Sequence, residues 1–209
     1  MNVLGKDFLK EEVDNLRAFL YKAQTLGYGN DEARGEIVKQ GEKGSNYVEN
    51  MTVVGHTQPH ELHQAGESMK EYASGVIQTD FSDGRHTIRY QENDWVYEDS
   101  WVGGEPFAGM TTVWFQGVAC WSMVYMGRVK SGFSKEEIYP CLWAALAKVS
   151  PEYPYRGPKY MSYNDDEYWY KNQWSGGLVD FTGEETITSS NDNMVGYEMI
   201  YHGGVVNLS

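Results

Sequence analysis

The feature that most constrains this chain is a similarity between two of its own segments, residues 90–129 and 163–205. Aromatic residues and glycines recur in the same order in both segments, at a nearly constant separation. The matched aromatic positions are Tyr90 with Tyr163, Trp95 with Tyr168, Tyr97 with Tyr170, Trp101 with Trp174, Trp121 with Tyr197 and Tyr125 with Tyr201. Self-similarity over this length is typical of a repeated supersecondary unit.

An amphipathic helix is predicted before each segment. The runs that begin Phe8-Leu-Lys-Glu-Glu-Val and Phe133-Ser-Lys-Glu-Glu-Ile continue with apolar residues three and four apart. Ser134 and Glu137 fit a capping box at the second start. We therefore predict an α+β fold of two repeated units, each a helix plus an antiparallel four-stranded meander. They would form one domain over residues 1–209, from units 8–130 and 131–209. The alternative is two meanders that share only their hairpin turns.

The first unit carries an insertion at about residues 30–79, which holds His56, His60 and His63. On a helix these histidines would lie near one face, and imidazoles at that spacing can bind zinc. Pro59 interrupts such a helix, so a solvated helix with incidental histidines is the preferred interpretation. Neither a metal nor another cofactor is expected.

The strand patterns place aromatic side chains on common faces, because alternate residues of a strand point the same way. Such stripes are typical of a half-buried core, but they would also line a cleft for a planar ligand. Arginine beside ring faces could bind a phosphate or carboxylate, or form a surface ion pair. The candidate ligand-binding residues are Trp95, Tyr97, Asp99, Trp101, Trp121, Tyr125, Arg128, Arg156, Tyr201 and His202.

Charge and composition exclude several classes of function. The net charge of −13 argues against a protein that binds the nucleic-acid backbone in general. No apolar run reaches transmembrane length, and the charged N-terminal residues do not fit a signal peptide. Cys120 and Cys141 lie in apolar stretches, which indicates buried free thiols. A cytoplasmic protein without membrane partners is the expectation.

Several segments resemble a bacterial family known as domain of unknown function 5680. They include the motifs Trp101-Val-Gly-Gly, Trp121-Ser-Met-Val-Tyr-Met-Gly-Arg, Pro154-Tyr-Arg-Gly-Pro and Tyr201-His-Gly-Gly, and also Phe19-Leu-Tyr-Lys-Ala. Members are often the C-terminal part of helix-turn-helix regulators, so the resemblance implies a sensing or partner-binding module. The residues before Phe8 are too few for a helix-turn-helix, and direct DNA binding is not expected.

The function that these patterns favour is non-enzymatic binding of a small, polar and planar ligand, such as a nucleotide-like signal, in an aromatic cleft with arginines. One alternative is a protein–protein or regulatory module that acts through its acidic surface and the insertion. Another is a hydrolase or metalloenzyme that uses His60, His63 and Asp99. The sequence leaves homo-oligomerisation open.

Overall fold

A computed structural model of the protein describes residues 3–28, 68–71 and 75–207. Ten antiparallel strands and two helices account for most of these residues. The strands are β1 Ser68–Glu71, β2 Ile77–Asp80, β3 Arg85–Glu92, β4 Trp95–Val102, β5 Phe107–Phe115, β6 Val118–Val129, β7 Tyr160–Tyr163, β8 Tyr168–Gly177, β9 Asp180–Ser189 and β10 Val195–Val205. The helices are α1 Val3–Tyr28 and α2 Lys135–Leu146.

All ten strands form one sheet in the order β1-β2-β3-β4-β5-β6-β10-β9-β8-β7. The sheet is continuous because β6 and β10 pair along nine residue pairs, from Tyr197 opposite Val129 to Val205 opposite Trp121. In two separate meanders, β6 and β10 would each be an edge strand with unpaired backbone N–H and C=O groups. Because they pair with each other, the backbone groups on both edges are hydrogen-bonded.

The prediction of two repeated helix-plus-four-strand units is therefore wrong. Six strands precede α2, because β1 and all but the last residue of β2 come from the predicted insertion at residues 30–79 and join the sheet. The similar segments of the sequence are strand hairpins within one sheet, and they do not form units of their own. The coarser α+β class holds, since helices and antiparallel strands occupy separate layers. The histidines His56, His60 and His63 lie outside the described residues.

Both helices pack on the same face of the sheet. In α1, Leu16, Phe19 and Leu20 repeat at helical spacing and are buried against β3 and β4. The second helix covers β7, β8 and β9, and its start is the predicted capping box. There the Glu137 backbone N–H donates to Ser134 Oγ, and the Ser134 N–H donates to the Glu137 carboxylate. In the described part of the chain, neither helix has the length and apolar composition needed to cross a bilayer.

Aromatic side chains fill the layer between the sheet and the helices. Tyr97, Trp121, Tyr170 and Tyr197 are fully buried there. The opposite face of the sheet is covered by neither helix, and it exposes several large apolar side chains. This difference between a covered face and an open face determines where each candidate residue lies.

Candidate functional site

Asp99 is a buried carboxylate in the middle of β4, on the face that the helices cover. Only 3% of the residue is exposed. Its Oδ1 accepts hydrogen bonds from Thr111 Oγ1 at 3.0 Å and from Tyr125 Oη at 2.8 Å. Its Oδ2 accepts a hydrogen bond from the hydroxyl of Tyr28, at the end of α1. Three neutral donors from three different elements therefore converge on one carboxylate.

Among the residues that the structure describes, no cation forms an ion pair with Asp99. Their ion pairs involve other carboxylates, and none includes Asp99. A buried charge without an opposite charge is unfavourable, and hydroxyl donors offset only part of its lost hydration. A carboxylate has about four acceptor sites, and three are occupied here, so one remains on Oδ2.

The tyrosines around Asp99 stay protonated well into the alkaline range. Burial raises the pKa of Tyr28, Tyr97 and Tyr125 well above the usual value, and the negative charge of Asp99 raises it further. Tyr28 and Tyr125 consequently act as hydrogen-bond donors to Asp99. Tyr97 accepts a hydrogen bond from Gln24 Nε2 at 3.0 Å, which links this cluster to α1.

A pair of stacked rings lies beside Asp99, one step further along β3 and β4. Trp101 shares the helix-covered face with Asp99, about 7 Å further along β4. The His86 ring stacks on the Trp101 ring, with centroids 5.3 Å apart and an interplanar angle of 20°. His86 Nδ1 lies 2.6 Å from Asp80 Oδ1, and these two side chains are 35% and 27% exposed. This stack is the partly exposed side of the cluster.

Arg156 belongs to a second buried network. Its Nε donates to Glu185 Oε1 at 2.8 Å, and a second guanidinium nitrogen donates to Oε2. The Tyr170 hydroxyl donates to the same carboxylate. Burial is the largest single effect and would lower the pKa of Arg156, but the charge and hydrogen bonds of Glu185, together with Tyr197 and Tyr170, outweigh it, and the pKa is raised well above its usual value. The guanidinium therefore holds an internal carboxylate, which differs from the ligand-binding role predicted for it.

Three further candidates belong to the core. Trp121 is fully buried, donates its Nε1–H to Leu178 O at 3.0 Å, and stacks on Phe181. Tyr201 is buried and donates its hydroxyl to Asn172 Oδ1 at 2.7 Å. Trp95 is half-buried and stacks against Phe19 of α1. These rings fill space between the helices and the sheet.

Arg128 and His202 lie on the open face, away from the other candidates. Arg128 Nε donates to Glu198 Oε1 at 2.8 Å in an exposed ion pair. His202 borders an open depression of about 420 Å³, which is also lined by Val124 and Asp180. Of the ten predicted residues, the structure thus brings Tyr125 into contact with the Asp99 carboxylate and Tyr97 close enough to feel its charge, while Trp101 shares their face of the sheet.

Comparison with known proteins identifies a family for this sheet. The family model of a domain of unknown function, DUF5680, matches residues 99–206, which is just over half of the chain. The chain belongs to this family. The DUF5680 match runs from Asp99 to the end of β10, so it contains Thr111 and Tyr125. Searches of curated proteins and of solved structures find no match.

The Asp99 cluster spans the limit of the DUF5680 match. Asp99, Thr111 and Tyr125 lie inside it, whereas Tyr28, Asp80 and His86 lie before it. The motif Phe19-Leu-Tyr-Lys-Ala, which also resembles the family, precedes the matched residues. The part of the site that faces α1 and β2 is therefore supplied by residues outside the family match.

Sequence reasoning missed Tyr28, Thr111, Asp80 and His86. Tyr28 is 71 residues from Asp99, and no local spacing connects a helix end to a distant strand. For Thr111 there was a weak indication, because the predicted four-stranded meander places its strand close to the strand of Asp99. Among the described residues, no group of three His, Cys, Asp or Glu side chains is placed to hold a metal ion.

Proposed function

We propose that this protein is a non-enzymatic binding module that takes a small ligand beneath the end of α1, with Asp99 as the anchor. The supporting observation is the buried Asp99 carboxylate, which meets three hydroxyl donors and no cation among the described residues. A ligand with a positive charge would supply the missing opposite charge, where low polarity strengthens the attraction.

The stacked rings favour a planar ligand. His86 and Trp101 present aromatic faces at the partly exposed side of the cluster. A flat cation can stack on such a ring and gain a cation–π attraction as well. The remaining acceptor site on Asp99 Oδ2 suits one N–H donor of the ligand. A protonated amine, amidine or guanidinium group on a ring has both properties.

The positions of the arginines oppose recognition through a phosphate group. Arg156 is occupied by Glu185 in the core, and Arg128 pairs with Glu198 on the other face of the sheet. Neither is placed to meet a ligand bound at Asp99. A nucleotide-like ligand would therefore be recognised through the N–H groups of its base.

A binding role is also favoured by the chemistry of the thiols. Burial raises the pKa of Cys120 to about 11 and that of Cys141 to about 12. At neutral pH both side chains are thiols, and the thiol is a poor nucleophile compared with the thiolate. Neither cysteine offers the activated sulfur that a thiolate-based covalent mechanism requires.

A thermal-shift screen tests the proposal. The panel contains aromatic amines, amidines and guanidines, neutral molecules of the same shape, and nucleotides. We expect cationic planar compounds to raise the melting temperature of the wild type, and to change the tryptophan fluorescence because Trp101 is two residues from Asp99 on the same face of β4. D99N should lose the shift, whereas E198Q on the open face should keep it. The proposal fails if no cationic compound stabilises the wild type, or if D99N and wild type respond equally.

A further inference from the structure

The open face of the sheet carries a continuous apolar patch that is independent of the Asp99 site. The patch consists of Val102, Met110, Val124, Met126 and Ile200, which are 48–67% exposed. They lie on β4, β5, β6 and β10, four neighbouring strands. Single exposed apolar residues are common, but a contiguous group of this size marks an interaction surface.

Strand register makes these residues neighbours. Met110 lies directly opposite Val124, and Met126 lies directly opposite Ile200. Ala108 bridges the row, since it pairs with Met126 on one side and with Val102 on the other. Side chains in such pairs are about 5 Å apart, so the patch has no polar gap at its centre.

Charges of both signs surround the patch. Glu198 pairs with Arg128 and with Lys130 at one end, and Arg89 pairs with Glu98 toward the outer strands. This balance contrasts with the net charge of −13 over the whole chain. Two copies of the protein repel one another over most of their surface, but this face adds little to the repulsion. The same mixture of signs also lets the face complement itself under a two-fold rotation.

We propose that a second copy of this chain covers the patch, so that two sheets pack face to face with the helices on the outside. Aligned sheets pack about 10 Å apart with interlocking side chains, which suits the long side chains of Met126 and Ile200. A standard interface buries about 800 Å² on each partner. The apolar patch supplies its centre and the flanking ion pairs supply its polar rim.

Sedimentation equilibrium of the purified full chain tests this proposal. We expect the wild type to be a dimer that dissociates on dilution. M126K places a charge in the middle of the patch and I200E places one at its β10 side, next to Glu184, and both should be monomers. M194E is the control, because Met194 is equally exposed but lies in the turn between β9 and β10. It should remain dimeric.

Three outcomes would overturn the proposal. The wild type could be a monomer at every concentration, which would leave the patch to a different partner. I200E and M126K could remain dimers while circular dichroism shows them folded. The wild type could form open-ended assemblies, which a closed two-fold contact does not produce. Ligand binding at Asp99 enters none of these measurements, so either proposal can fail alone.

Discussion

Tyr125 and Tyr201 lie directly opposite each other on the paired strands β6 and β10, and their hydroxyls donate to different acceptors, Asp99 and Asn172. Asp99 is a carboxylate and Asn172 is an amide, yet each accepts the tyrosine hydroxyl through its Oδ1. Asn172 also donates its Nδ2–H to Gly157 O, so all its groups are satisfied without charge. A neutral amide oxygen can therefore accept a tyrosine hydroxyl at such a position. The hydrogen bond from Tyr125 to Asp99 does not require a charged acceptor.

The two tyrosine rings fit because each lies over a glycine of the next strand. An added Cβ at Gly183 would be 2.2 Å from Tyr201 Cζ, and one at Gly109 would be 2.3 Å from Tyr125 Oη. We predict that Gly183→Ala lowers the free energy of unfolding by about 1–3 kcal/mol, because the buried ring has to shift.

The matched control for this change is Gly177→Ala. At Gly177 an added Cβ meets no atom within 4 Å among the described residues. Urea unfolding followed by circular dichroism measures both variants. Equal stability of Gly183→Ala and Gly177→Ala would show that the close fit of ring and backbone does not matter.

The buried pair of Arg156 and Glu185 predicts a large effect of removing one partner. Arg156→Met leaves the Glu185 carboxylate buried without its cation, and we expect a loss of about 3–5 kcal/mol in the free energy of unfolding. The double variant Arg156→Met, Glu185→Gln should be more stable than the single variant, because no charge then remains unpaired. Urea unfolding measures both.

Arg128→Met provides the comparison for an exposed pair. Its ion pair with Glu198 is surrounded by solvent, so the substitution should change stability little. If Arg156→Met and Arg128→Met had equally small effects, the buried network would not contribute to stability as described.

Alkaline pH should destabilise the protein through its buried tyrosines. Burial raises the pKa of Tyr97, Tyr170 and Tyr197 well above 10 in the folded chain, whereas an unfolded tyrosine ionises near 10. The folded state therefore binds more protons above about pH 10, and stability falls as the pH rises. The slope is about 1.4 kcal/mol per pH unit for each such tyrosine. Below that pH these groups are protonated in both states and add no pH dependence.

Tyr197→Phe isolates one of these groups. The Tyr197 hydroxyl is buried without a hydrogen-bond partner among the described residues, so its removal should not reduce stability at neutral pH. Above pH 10 the variant should lose stability less steeply than the wild type. Unfolding free energies across an alkaline pH series provide the test, and identical slopes for the two proteins would contradict it.

Local patterns in the sequence predicted the local structure. The spacing of Ser134 and Glu137 located the start of α2, and alternation placed Trp95, Tyr97, Asp99 and Trp101 on one face of a strand. Capping and alternation depend on neighbours within a few residues, so a single sequence displays them.

Contacts between residues that are far apart in the chain could not be predicted from the sequence. Pairing of β6 with β10 merges the strands into one sheet, and it depends on residues about 76 apart, such as Tyr125 and Tyr201. The alternation of apolar and polar residues also could not distinguish core residues from residues that line a cleft. Trp121 and Trp101 lie in strands with the same alternation, but only Trp121 is fully buried. Tyr28 reaches Asp99 through the packing of α1, which local spacing does not encode.

We propose that the bound ligand, and not the stability of the fold, requires the negative charge of Asp99. The most direct test is the free energy of unfolding of D99N against wild type, both without ligand, by urea titration at neutral pH. In D99N the amide oxygen can still accept from Thr111 and Tyr125, as Asn172 accepts from Tyr201, and the Tyr28 hydroxyl can turn to accept from the amide N–H. D99N should therefore be as stable as the wild type or more stable. A loss of more than about 1 kcal/mol, the typical value of one hydrogen bond, would show that the charge serves the fold and would contradict the account.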